Sequence, residues 1–360
     1  MAEDRRPPAP EGRTVAASAE PVTREPTRAG PAPRFRDRAA RLMSGPPVVP
    51  EYPSRVDLHT HSRRSDGVLE PPALVAAAAA VGVRVLALAD HDTLAGVREL
   101  CAPGAPELPL ELVPAVEINS IATGSGGLWE GELHILGLGV DPTDATFEAA
   151  LMAQRESRTT RFGMMVARLR ELGMPVDEGA QALRTAPGSS LGRPQIARLL
   201  VDAGHAPSVD AAMRDLLARG KPVYVPRQGL GPTQAIAAIR AAGGLPVLAH
   251  FADAPTRRDL VADLMSAGLG GLEVHYRHFD ADTVAEMAAL ANALRLVPTG
   301  GSDYHGDGET YAEAHAALFV PDEDAAALFH ALGRDATAVA IAGALAPASP
   351  DPAATRSSAP

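Results

Sequence analysis

The 360-residue sequence has one cysteine, Cys101, so no intrachain disulfide framework exists, and no C-x-x-C pair suggests a redox couple or a zinc ribbon. A lone cysteine of this kind is expected to be a small buried apolar residue. Lysine is almost missing: Lys221 stands against 32 arginines, a skew that reads as codon bias beside abundant Ala, Gly and Pro. The number of arginines therefore carries little functional weight. Long apolar runs are absent too, since the longest, residues 73–83, falls short of the roughly 20 residues a spanning helix needs. The N-terminus lacks a signal-peptide apolar region, and a cytoplasmic location is the default expectation. Nor is there a positive excess. The formal net charge of -11 argues against a surface that grips duplex nucleic acid or an anionic membrane, so an anionic substrate needs a local positive site.

What is present is globular: 46% hydrophobic and 21% charged residues. Residues 1–52 form a Pro/Arg-rich segment, with ten prolines and nine arginines in the first 50 positions, and read as a disordered tail. Its six acidic residues count against a transit peptide. Residues 346–360 read as a second tail. Between them, short apolar strands alternate with helical patterns over 53–142 and again over 222–345, which predicts a parallel sheet or barrel. Residues 143–221 break the rhythm with helical patterns alone, including an amphipathic stretch, 154–172, whose Phe162, Met165, Val166 and Leu169 share a face. This segment is expected to sit as an insertion over one face of the barrel.

Metal-binding residue types collect where the predicted strands end, which is where barrel enzymes carry their sites. His59 and His61 form an H-x-H that an extended segment turns to one face. Asp66 follows, then His91 between Asp90 and Asp92, then Glu117 and His134. His250 ends another strand, and Asp303 and His305 follow the last. Each has a bland reading alone: an H-x-H is commonly surface or core decoration, and His134 suits a hairpin core. Nine such residues at successive strand ends do not, because buried imidazoles and carboxylates cost several kcal/mol each unless paired or coordinated. Mixed imidazole and carboxylate donors suit manganese, iron or zinc ahead of calcium or magnesium.

The motifs Asp57-Leu58-His59-Thr60-His61, Ser65-Asp66-Gly67, Ala89-Asp90-His91-Asp92, Val116-Glu117-Ile118-Asn119, Leu248-Ala249-His250 and Ser302-Asp303-Tyr304-His305, in this order, resemble the PHP (polymerase and histidinol phosphatase) superfamily over residues 55–342. The insertion, Gly192-Arg193-Pro194 and Gly271-Leu272-Glu273-Val274 resemble its branch of stand-alone nucleotide phosphatases. The resemblance implies an α/β fold, a distorted seven-stranded (β/α) barrel with a helical insertion. It implies two or three divalent ions, usually manganese, with iron, zinc or magnesium as alternatives. One ion would take His59, His61, Glu117 and Asp303; a second Glu117, His134 and His250; a third Asp66, His91 and His305. The implied activity is removal of the 3'-phosphate from nucleoside 3',5'-bisphosphates, or trimming of short 5'-phosphorylated RNA.

On that reading, a metal-bridging hydroxide held by Asp66, Glu117 and Asp303 attacks phosphorus in line. A second substrate phosphate would meet Arg193, with Arg155, Arg158 and Arg161 behind it and His278 at the outer edge. The branch commonly has histidine after Gly-Arg-Pro, where this chain has Gln195, expected to touch phosphate as a hydrogen-bond donor without charge. Histidinol phosphate hydrolysis is the nearest rival activity, and a non-catalytic metal-binding scaffold the rival from another class. Oligomeric state is left open.

Overall fold

The computed structural model describes residues 54–122, 131–184 and 188–334. The two predicted tails, 1–52 and 346–360, thus lie outside the described residues. Seven strands, β1 (Val56–Thr60), β2 (Val85–Leu88), β3 (Glu111–Ala122), β4 (Gly131–Leu138), β5 (Leu245–Leu248), β6 (Gly271–Tyr276) and β7 (Val297–Gly301), form one sheet in chain order. All neighbours pair parallel except β4, which runs antiparallel to both β3 and β5. The sheet rolls into a nearly closed barrel. At the seam, the Asp303 amide donates to the His59 carbonyl at 2.7 Å and the His61 amide to the Tyr304 carbonyl at 3.1 Å. Glycine is needed at Gly301, where a Cβ would overlap the backbone and Cβ of His59.

Period-two alternation sorts the strands' side chains into two cores. Val56, Leu58, Ala87, Ala115, Leu136 and Val247 fill the barrel, where Leu328 and Phe329 of α-helix 322–331 join them. Val116, Ile118, Leu248, Leu272 and Val274 point outward against the surrounding helices. Fully burying a side chain of this size contributes about 1.5–3 kcal/mol.

The outer helices are α1 (Pro71–Ala80) and α2 (Ala95–Leu100) in the first half of the chain. Between β4 and β5 lie α3 (Ala145–Glu171), α4 (Asp177–Arg184), α5 (Arg193–Asp202), α6 (Val209–Ala212), which continues as a π turn over Met213–Leu217, and α7 (Pro232–Ala241). The Asp144 side chain caps α3 by accepting from the Phe147 amide at 2.8 Å, so this helix begins well before the predicted start at 154. Phe162, Met165, Leu169, Ile196, Leu200, Leu217 and Val223 make a separate apolar core within this segment. After β5 come α8 (Arg258–Ser266), α9 (Ala281–Leu294), α10 (Tyr311–Ala316) and α11 (Asp322–Ala331). No described helix is long and apolar enough to cross a membrane.

Two expectations need correcting. Cys101 is exposed, because it caps the short α2 at its C-terminal end and does not lie on the buried face. His134 does not follow a strand: it lies within β4, opposite Asn119 of β3. With β4 reversed, its beginning reaches the barrel mouth where the other strands end.

Candidate metal centre

His59 and His61 both face the barrel mouth, although the inward residues just before them are Val56 and Leu58. A register shift between Asp57 and Thr60 supplies the change of phase. Asp66 stands on the loop that follows, tightened by Ser65 and Gly67 amides donating to the Ser62 carbonyl at 3.0 and 2.9 Å. A Cβ at Gly67 would overlap the His61 carbonyl, which explains the glycine beside the aspartate. Two other buried aspartates tie these loops down. Asp90 accepts from the Ser62 amide and from the Ser62 and Ser65 hydroxyls at 2.7–2.8 Å. Asp57 accepts from the Ser302 amide and hydroxyl and the Tyr311 hydroxyl at 2.7–2.9 Å.

Glu117 is the hub. One carboxylate oxygen lies 2.7 Å from His134 Nδ1 and 3.1 Å from His250 Nε2; the other lies 2.8 Å from His91 Nδ1, 3.3 Å from His61 Nε2 and 3.4 Å from His59 Nε2. Asp303 Oδ1 stands 3.1 Å from His61 Nε2 and 3.4 Å from His59 Nε2, and Asp66 reaches His305 at 3.2 Å and His91 at 3.5 Å. The structure thus gathers all nine candidate residues into three groups whose donor atoms lie within 4.8 Å of one another. These are His59, His61, Glu117 and Asp303; Glu117, His134 and His250; and His61, Asp66, His91 and His305.

The donor atoms fit cations. His59 Nε2, both His61 nitrogens, Asp66 Oδ1, His91 Nδ1, Glu117 Oε2 and Asp303 Oδ1 are buried without a hydrogen-bond partner. Each such orphan costs about 1–3 kcal/mol unless something satisfies it. Burial opposes ionisation of Glu117, yet His91, His134 and His59 hold its carboxyl well below the usual range. Burial opposes that of Asp66 and Asp303 too, and the neighbouring imidazoles again win. Burial lowers His91 to about 4 against the pull of Asp66 and Glu117. It also opposes the His305 imidazolium, but Asp66 and Asp303 raise that group to about 10.

Residues outside the nine orient them. Glu273 Oε1 lies 3.0 Å from His59 Nδ1, and its other oxygen accepts from the His250 amide at 2.6 Å. Asn119 Nδ2 lies 2.7 Å from His134 Nε2, while Asn119 Oδ1 accepts from Arg158 at 2.8 Å. The Tyr276 hydroxyl donates to Asp303 at 3.2 Å. Backbone strain concentrates here: Asp92, His250 and Asp303 have φ of 51°, 32° and 49°. Glu273 was missed as a site residue although, like Glu117, it is a carboxylate inside an apolar strand, a signal that the same reasoning would have caught.

An arginine belt borders the centre. Arg158 and Arg227 both donate to Asp92, at 2.6 and 2.5 Å, and Arg155 donates to the Asp92 carbonyl at 3.0 Å. Arg193 lies 3.5 Å from Glu132, which is two residues from His134 on the same face of β4. Arg161 donates to the Val225 carbonyl at 2.8 Å; its Nη2 and the Nε of Arg227 are buried without partners. Burial, and then the charges of Arg193 and Arg158 respectively, lower Arg161 and Arg227 to about 10. His278 packs edge-on against Tyr276, ring centres 5.3 Å apart, one residue removed from the centre. Gln195 departs from expectation. Its carbonyl oxygen accepts from the Gly192 amide at 2.7 Å, and its NH2 donates to the Ser190 carbonyl at 3.1 Å and to the Ser65 carbonyl. Those bonds occupy the amide with the protein, so it braces a loop where a phosphate contact was expected.

No protein-family profile matches the chain. A 5'-3' exoribonuclease from Escherichia coli is 38% identical over 266 residues, covering 69% of this chain and 84% of that protein. A 3',5'-nucleoside bisphosphate phosphatase from Chromobacterium violaceum is 34% identical over 265 residues, 71% of this chain and 89% of the relative. Among solved structures, a protein from Bifidobacterium adolescentis assigned as a metal-dependent phosphoesterase superposes with a TM-score of 0.67 at 27% identity, over 81% of this chain and 99% of the other.

Proposed function

The chain belongs to the PHP superfamily of metal-dependent phosphoesterases, and from that premise we propose that it removes the 3'-phosphate from nucleoside 3',5'-bisphosphates and trims short 5'-phosphorylated RNA. The observation that carries this is the placement of the arginine belt beside the nine-residue centre, which suits a substrate with two phosphates.

The three groups would hold two or three divalent ions, manganese first among them. When bound, such ions polarise phosphoryl oxygens and acidify water, which supplies the nucleophile and steadies the charge that develops on phosphorus. The residues do the rest. Asp66, Glu117 and Asp303, with Glu273 behind His59, contribute at most four negative charges, fewer than three divalent ions bring, so a site loaded with three attracts phosphate despite the net charge of -11. Glu273 and Asn119 fix the rings of His59 and His134. Arg193, with the unpartnered nitrogens of Arg161 and Arg227, would receive the phosphate that is not cleaved, and His278 would stand at the outer edge. Residues 143–221 would act as the substrate cap over the barrel of 53–142 and 222–345, carrying most of the belt.

A phosphate-release panel tests this, comparing adenosine 3',5'-bisphosphate, 5'-phosphorylated oligoribonucleotides, histidinol phosphate and simple monophosphates with added manganese. The bisphosphate should exceed a monophosphate at least about tenfold in kcat/KM, the worth of one charge-assisted contact. Preference for histidinol phosphate would overturn the assignment.

A further inference from the structure

Asp66 and His305 stand on loops after β1 and β7, without a strand ladder to fix them. Glu117 and His134, by contrast, sit within paired strands. The Val68 amide ties the two loops together by donating to the His305 carbonyl at 2.9 Å, and α5 adds a side-chain clamp across them. Arg198 Nη2 donates to the Asp66 carbonyl at 2.6 Å, and the same guanidinium forks onto Asp307, Nε to Oδ1 at 2.7 Å and Nη2 to Oδ2 at 2.6 Å. One side chain thus joins the loop of Asp66 to the loop of His305. The segment leading into α5 adds parallel ties: the Ser190 amide donates to the Arg64 carbonyl at 2.9 Å, Gln195 donates to the Ser65 carbonyl, and the Thr93 hydroxyl donates to the Gly188 carbonyl at 2.7 Å. Asp66, His91 and His305 each therefore have a residue within two positions, or their own backbone, held by residues 188–198.

We propose that Arg198 is a positioning residue for the group His61, Asp66, His91 and His305, so that the helical segment sets how tightly this one group holds its ion. The inference rests on the reading of that group as an ion site. A bidentate guanidinium–carboxylate fork fixes direction as well as distance, which a lone ammonium does not. Its second contact, to the Asp66 main chain, sets where the carboxylate begins. Other ties from the helical segment run from Arg155 and Arg158 to Asp92, beside His91, and from Arg158 to Asn119 and Arg193 to Glu132 on β3 and β4, whose ladder already holds their positions; of these side chains only Arg198 reaches the loops of Asp66 and His305 together.

The test is manganese titration of the full-length chain without substrate, by calorimetry and elemental analysis. His305→Ala identifies the ion equivalent that belongs to this group. Arg198→Ala should weaken that same equivalent by about 10- to 100-fold, the range for lost outer contacts of a metal site, while the remaining equivalents keep wild-type affinity. Arg198→Lys should recover part of the loss. Asp307→Asn should shift the same equivalent in the same direction, and it stands in if Arg198→Ala does not fold. Wild-type affinity for every ion in both Arg198→Ala and Asp307→Asn overturns the proposal, as does uniform weakening of all equivalents, which would mark general loosening. If His305→Ala removes no equivalent, the ion reading of this group falls and the proposal with it. The phosphate-release panel on the wild type is read separately, so a failed substrate assignment is not mistaken for a failed positioning role.

Discussion

Glu273 meets His59 at 3.0 Å through Nδ1, the nitrogen facing away from Glu117 and Asp303, and so leaves Nε2 directed into the centre. A carboxylate behind an imidazole fixes its tautomer and raises its strength as a donor. Glu273→Gln keeps the shape and removes the charge. It should weaken manganese binding about 10- to 100-fold with little change in fold, as titration calorimetry and far-UV circular dichroism will report. Unchanged affinity would sink this role.

One oxygen of Asp303 stands near both histidines of the H-x-H, 3.1 Å from His61 Nε2 and 3.4 Å from His59 Nε2. Asp303→Asn should lower kcat at least about 100-fold and reduce bound metal, because a neutral amide neither balances the ions nor replaces the charge. A fully active variant with its complete metal content is incompatible with the proposed centre.

Arg193 lies beside Glu132 and close to the unpartnered nitrogens of the belt. Arg193→Ala should raise KM for a nucleoside 3',5'-bisphosphate about tenfold and leave KM for a monophosphate nearly unchanged, matching the loss of one charge-assisted contact. Parallel steady-state curves for the two substrates decide it; equal losses count against a second-phosphate pocket.

Glu148, in the first turn of α3, forms an ion pair with Arg98 at 2.6 Å and accepts from Arg155 at 2.5 Å. Partial burial raises its pKa, but the two guanidiniums more than offset this and leave it lowered. A folded pKa below the unfolded value means the carboxylate stabilises the fold above about pH 4.5 and loses that contribution as pH falls through the folded value. Glu148→Gln should therefore lower stability by about 0.5–1 kcal/mol at pH 7, a figure kept small for its solvent exposure. In urea melts, the gap from wild type should close below about pH 4. A gap that widens in acid would reverse the sign.

The nine central residues were legible because an imidazole or carboxylate set in or closing an apolar run has few bland explanations: Glu117 interrupts one and His250 closes another. The helical segment was legible through the spacing of Phe162, Met165 and Leu169. The direction of β4 was not. Its alternation of inward His134, Leu136 and Leu138 with outward Leu133 and Ile135 is the same read either way, so periodicity alone could not reverse it. The register shift in β1 leaves no mark in composition. Gln195 misled for a different reason: a polar residue after Gly-Arg-Pro looks chemical, while its bonds to Gly192 and Ser190 are a helix start. Arg198 was invisible because its partners, Asp66 and Asp307, are more than 100 positions away.

Val56, Leu58, Leu136, Val247 and Phe329 fill the barrel without exposure. Among the described residues, the barrel beneath the centre is thus plugged, and the centre lies where the strands end above that plug. A strand cannot thread through such a plug, so whatever is severed at the centre leaves on the side from which the substrate came. On the proposed reading, that plug of aliphatic side chains makes the centre a place that substrate visits and leaves, and not one that it passes through.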